Sequence, residues 1–323
     1  MAGDFNQRTR QKFSTLSALA KPLGGGQVQM ALPKSGFLGR IWLSIRATIG
    51  GAPVAPLNPL GVSSIINRVR VTLNTGIDVF NVSGPGYAWL LDEMLDAEFA
   101  RGTPQNQGRS LVAAGTYNLD MVIPLMMNLR DAVGLLLLQN EQLTATLTVD
   151  FAADATVAAG AVITATVTPI VENFTVPLAK EDFPSTDLLH TVLEESSAVA
   201  AAGELTYNIP RGNVYLQIAQ GLGMGVAGAD NFDRVRIRVN QSDYITDVPP
   251  AFLDMQHGLY RGRARPAGCI YTDLMGSSGL GMYGTGRDLF NSALVTDFAM
   301  TFNALAAGTL YTVRRQLVNV PRT

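Results

Sequence analysis

The sequence predicts an all-β chain, two tandem eight-stranded jelly rolls with short helices in the loops. Three observations predict it: strand-period alternation through most of the chain, an ordered internal repeat, and a scarcity of charge. Residues 66–74 read INRVRVTLN and residues 232–240 read FDRVRIRVN, near copies set 166 positions apart (232 − 66). Arg68 and Arg70 alternate with Val69, Val71 and Leu73; Arg234, Arg236 and Arg238 alternate with Val235, Ile237 and Val239. A period of two is the mark of a strand with one face buried and its arginines on the other.

Along the chain, residues 1–26 form a basic arm. Arg8, Arg10, Lys12 and Lys21 are interspersed with Phe5, Phe13, Leu16 and Leu19, and the last three of these follow helical spacing. Such a segment lies on an anionic surface or tucks against a neighbour. The run Gly24–Gly26 then reads as a flexible hinge. Strands rich in Val, Ile, Thr and aromatics follow at 37–48, 66–74, 142–151, 161–176, 213–219, 232–240, 294–303 and 309–320. Helical signals are confined to 86–99 and a short stretch near 188–195.

The repeat extends beyond the nonapeptide. Pro33 aligns with Pro210, Asp92 with Asp254, Tyr117 with Tyr271, Arg130-Asp131 with Arg287-Asp288, and the AAG of 158–160 with that of 306–308. The matches keep their order, and their offsets drift as loops of unequal length make them drift. Two copies of one β domain are expected, at 27–178 and 179–323, with PLAKEDFPSTD (177–187) as linker. Eight strand-sized segments per copy fit a jelly roll better than a seven-stranded immunoglobulin sandwich.

Charged residues are 15% of the chain and hydrophobic residues 47%, against about 25% charged in ordinary soluble domains. No apolar run approaches the roughly 20 residues of a helical span, and residues 1–13 do not read as a secretory signal. Surface buried between subunits is the better account of the low charge. The net charge of −2 excludes a generally basic nucleic-acid coat. A single cysteine, Cys269, excludes an internal disulfide and a multi-thiolate metal site.

Catalytic signals are poor. His190, near the linker, and His257, in a loop, lack metal-ligand spacing. Two GxGxxG matches, at Gly223–Gly228 and Gly279–Gly284, do not open a helix and read as glycine-rich loops. Asp230 and Asp233 read as a solvated turn rather than a Ca²⁺ site. The cluster Arg261, Arg263 and Arg265 sits in a long loop, placed for phosphates or for acidic groups on a neighbouring subunit. No cofactor, metal or small-molecule substrate is expected, and no enzymatic activity.

The stretch INRVRVTLNTGIDVFNVSGPGYAWLLDEM (66–94), with the doubled β domain and the basic arm, resembles the double jelly-roll major capsid proteins of tailless icosahedral viruses, including tectiviruses, corticoviruses and finnlakeviruses. The resemblance implies a homotrimeric, pseudo-hexameric capsomer that meets neighbouring trimers, penton and minor proteins in a virion assembled in the host cytoplasm. It also implies that the arm, through Arg8, Arg10 and Lys12, faces an internal membrane or the genome. The competing reading is a two-domain carbohydrate-binding or carbohydrate-active β protein. Such sites want aromatic platforms with paired carboxylates, and neither Trp42 nor Trp89 has an obvious pair.

Overall fold

A computed structural model describes residues 9–54, 61–74, 76–83, 113–127, 132–179, 182–184, 188–223, 230–240, 243–261, 268–274 and 290–319. The first half contributes β1 (Gln11–Thr15), β2 (Leu19–Ala20), β3 (Gly26–Ala31), β4 (Phe37–Val54), β5 (Ile66–Leu73), β6 (Ile77–Ser83), β7 (Gly115–Pro124), β8 (Leu136–Leu137), β9 (Ala145–Phe151) and β10 (Ala159–Phe174). The second contributes β11 (Leu188–Val199), β12 (Gly203–Asn208), β13 (Val214–Leu222), β14 (Phe232–Val239), β15 (Asp243–Val248), β16 (Cys269–Asp273), β17 (Phe290–Asn291), β18 (Phe298–Ala304) and β19 (Gly308–Asn319). Among the described residues two α-helices interrupt them, α1 (Asp154–Val157) and α2 (Pro250–Arg261).

The strand order gives the jelly roll twice. In the first half the sheets run β1-β10-β4-β7 and β3-β9-β5-β6; in the second they run β11-β19-β13-β16 and β12-β18-β14-β15. Each position in one order has its counterpart in the other, and the two-residue strands β8 and β17 add to β4 and β13 in the same way. The described residues fall into two compact units, one running to Leu193 and taking Leu317 onward, the other running Glu194–Gln316. Within the first unit, the opening of β11 pairs in parallel with β6, Val192 beside Phe80 and Leu193 beside Asn81.

Why the nonapeptide recurs is now visible in atoms. Val69, Val71 and Leu73 of β5 are buried, as are Val235, Ile237 and Val239 of β14. The second set packs with Tyr215, Phe298, Met300 and Phe302 in one core, where Tyr215 and Phe298 meet edge to face at 5.6 Å. Both copies end on an asparagine in the left-handed region, Asn74 at φ 47° and Asn240 at φ 54°, a conformation asparagine tolerates better than bulkier residues. The Asn74 amide donates to the Thr144 carbonyl at 2.9 Å, and its Oδ1 accepts from the Thr144 amide at 2.9 Å. The Asn240 amide donates to the Asp297 carbonyl at 3.0 Å, and its Oδ1 accepts from the Thr296 amide at 2.9 Å. Each asparagine thus ties the end of its strand to the start of β9 or β18 and fixes the register there. The bulges repeat too, between Val71 and Thr72 where β5 meets β6 and between Ile237 and Arg238 where β14 meets β15.

Several expectations are corrected. The arm is not a helical segment from residue 11 onward: β1 and β2 pair antiparallel with β10 as the first strand of the roll. Its composition, QKFST, buries no side chain fully, so no period-two core pattern betrays it. Gly24, Gly25 and Gly26 all have positive φ. They form a turn rather than a hinge, since a Cβ on Gly25 would stand 2.9 Å from the Ala152 carbonyl. The stretch near 188–195 is strand β11, where β-branched Thr191 and Val192 pack on both faces. His257 lies in α2, not in a loop. The helix expected at 86–99, with Trp89, falls outside the described residues.

Replacing Asn240 by alanine removes both the side-chain acceptor and the tolerance for positive φ. A loss of about 1–3 kcal/mol follows, read as a lower urea midpoint. Asn240→Gly, which restores only the backbone freedom, is expected to recover part of that loss.

Candidate assembly surface

The outward faces of the sheets are the chemistry this chain presents. On the β5 side, Arg68 donates to Asn81 Oδ1 at 2.7 Å, Thr72 to Asp78 at 2.8 Å and Asn67 to Asp150 at 2.8 Å. On the β14 side, Arg234 grips Asp247 through two hydrogen bonds of 2.6 Å. Arg236 lies 3.6 Å from Asp247 and 3.5 Å from Glu204, and Arg238 reaches Asp297 at 3.1 Å. The Arg234 hydrogen bond holds the Asp247 carboxyl below the usual range, against a smaller opposing effect of desolvation. The β14 arginines are matched by acids on their own face, so that ladder is polar without being a basic surface. A shallow groove of about 230 Å³ lies among Glu204, Asp233, Arg234, Arg236 and Asn303. Exposed pairs of this kind contribute little to stability.

The outward face of β1-β10-β4-β7 is different. Exposed Thr48, Val162, Thr164 and Thr166 give it little charge, and the Arg46–Asp120 pair at 2.6 Å is self-neutralising. Near its other end Glu172 is wholly buried. It accepts from Gln11 Nε2 at 2.6 Å and from Trp42 Nε1 at 3.4 Å, with Arg40 Nη1 at 3.9 Å. Burying a carboxylate is costly unless donors and a cation surround it, and β1 and β4 supply them to Glu172 of β10. Sequence reading missed Glu172, because its hydrogen-bond partners Gln11 and Trp42 lie 161 and 130 positions away.

The residues singled out by sequence are scattered among several elements where they are described. Arg8, Arg263 and Arg265 fall outside the described residues, and Arg261 closes α2. Arg10 is exposed and its backbone is tied to Thr175, the amide donating to Oγ1 at 2.9 Å. Lys12 and Phe13 are exposed on β1. Lys21 is withdrawn from the arm's surface set: its side chain is 1% exposed and its Nζ meets Asp154 Oδ1 at 2.6 Å. Asp230 accepts from the Gly268 amide at 2.9 Å, whereas Asp233 lies not in a turn but in β14, where it accepts from Asn303 of β18 at 2.9 Å. His190 and Cys269 are buried. Among the described residues no three His, Cys, Asp or Glu side chains gather as metal ligands, and no helix is long and apolar enough to cross a membrane.

Comparison with solved structures finds likenesses along nearly the whole chain. The major capsid protein of Sulfolobus turreted icosahedral virus aligns over 96% of this chain and 97% of its own, at 13% identity and TM-score 0.72. The chain has the double jelly-roll fold. The PBCV-1 virus capsid aligns over 96% and 94%, at 12% identity and TM-score 0.68. The major capsid protein of bacteriophage PM2 aligns over 97% and 99%, at 15% identity and TM-score 0.56. No protein-family model and no curated protein sequence matches the chain. The double jelly roll read from the internal repeat is therefore the fold observed, and the carbohydrate-binding alternative is not favoured. Trp42 spends its indole N–H on buried Glu172 rather than serving as an open sugar platform.

The Lys21–Asp154 pair has a pH consequence. Burial raises the Asp154 pKa, but the Lys21 hydrogen bond, the Ile163 amide and the Lys21 charge together outweigh it, and the carboxyl sits below its ordinary value. A depressed folded-state pKa contributes stability above the unfolded value, about 3.9, that is lost as pH falls through the folded one. Between about pH 5 and pH 3 the urea midpoint is expected to fall further in the wild type than in Asp154→Asn.

Proposed function

We propose that this chain is the major capsid protein of a tailless icosahedral virus, a structural protein rather than an enzyme. The observation that carries the proposal is the double jelly roll, shared from end to end with viral major capsid proteins. The capsomer is a homotrimer whose six jelly rolls give a pseudo-hexagonal unit, and trimers then meet one another and the penton and minor proteins of the shell. Low charge supports this reading, because obligate interfaces are depleted in charged residues at their centres. The segment before β1, with Arg8 and Arg10, faces the particle interior and meets anionic lipid headgroups or genome phosphates. Arg261 at the end of α2, with Arg263 and Arg265 beyond it in sequence, pairs with acidic groups on a neighbouring subunit. The protein resides in the virion after assembly in the host cytoplasm.

Light scattering on a sizing column tests the oligomer. Three chains of 34.4 kDa give about 103 kDa, and that mass or a larger assembly is the expected result. A stable monomer across the concentration range would reject the capsomer.

A further inference from the structure

We propose that β1 of one copy pairs in parallel with the outer edge of β15 of a second copy, repeating between chains the pairing that β11 makes with β6. The inference rests on the self-assembly proposed above and names the contact that joins the subunits.

The internal repeat supplies the template. β1 and β11 open the same sheet in the two rolls, each beside the long last strand, β10 or β19. β6 and β15 close the same edge of the other sheet, each with its bulge in the same place. Within the first unit the edge of β6 is not bare, because Val192 and Leu193 of β11 add to it in parallel at Phe80 and Asn81. β15 is the counterpart of β6, and among the described residues only β14 pairs with it. β1 is the counterpart of β11, and among the described residues only β10 pairs with it. Among the described residues each therefore closes its sheet with no strand on its outer side, an edge of the kind that natural sheets cover or block.

The register can be carried over residue by residue. Gly26 and Gly203 open β3 and β12 at an offset of 177 (203 − 26), which maps Val192 and Leu193 onto Thr15 and Leu16. The nonapeptide offset of 166 (232 − 66) maps Phe80 and Asn81 onto Thr246 and Asp247. Thr15 then lies beside Thr246, and Leu16 beside Asp247. The two edges are different surfaces of one chain, so the contact is head-to-tail, and a ring closes when every β1 finds a β15.

Cysteine cross-linking tests it. Adjacent strands lie about 4.8 Å apart, inside the Cα separation a disulfide accepts, about 4.4–6.8 Å, and buried Cys269 is left in place. Thr15→Cys and Thr246→Cys chains carrying different tags are co-expressed, oxidised and run on a non-reducing gel. The expected result is a reducible dimer containing both tags, absent when either variant is expressed alone, and a ladder to trimer for the double variant. Cross-linking of Thr15→Cys chains to one another would mean a symmetric contact and overturn the proposal. So would the failure of Ser14→Cys, Thr15→Cys and Leu16→Cys chains alike to link to the Thr246→Cys chain in a protein that light scattering shows to be trimeric, which leaves the capsomer reading standing. A monomeric wild type would overturn both.

Discussion

Strand register is the constraint on which the rest of this molecule depends. A slip of one residue in β5 or β14 would send the arginines into the core and Val69, Val71, Val235 and Ile237 into water. The burial of one face makes the correct register much the better one, and Asn74 and Asn240 pin it at the strand ends. With these strands placed, β9 and β18 follow through their asparagine ties. In the other sheet of the first roll, β10 pairs along nearly the whole of β4.

The surface left by that arrangement divides by chemistry. On β5 Arg68 meets the amide of Asn81, and on β14 the arginines meet Asp247, Glu204 and Asp297, so the charge of the β14 ladder is spent locally. The outward face of β1-β10-β4-β7 carries threonines and few charges. A lone globule gains nothing from so weakly charged a face, whereas a subunit that buries area against its copies does. Low overall charge and the acid-paired arginines of β14 support the self-assembly proposed above.

Much of the fold was legible in the sequence because alternation and repetition leave local marks. β4, β5, β9, β10, β13, β14, β18 and β19 lie within or close to the stretches that the pattern picks out. The repeat identifies strand counterparts that the sheet orders then reproduce. β1 was not legible, because an edge strand with no fully buried side chain has no period to show. β11 was misread because it is buried on both sides around His190–Val192, which erases alternation. The assembly surface was less legible still. The placing of Lys21 beside Asp154, and of Glu172 among Gln11, Trp42 and Arg40, depends on contacts between residues far apart in sequence.

The most direct measurement of the central claim is electron cryo-microscopy of the purified assembly. The account predicts particles with threefold symmetry and six similar β lobes, arranged so that first and second rolls alternate around the ring. Particles in which first rolls contact first rolls across a twofold axis, or a population of single two-lobed chains, would contradict it.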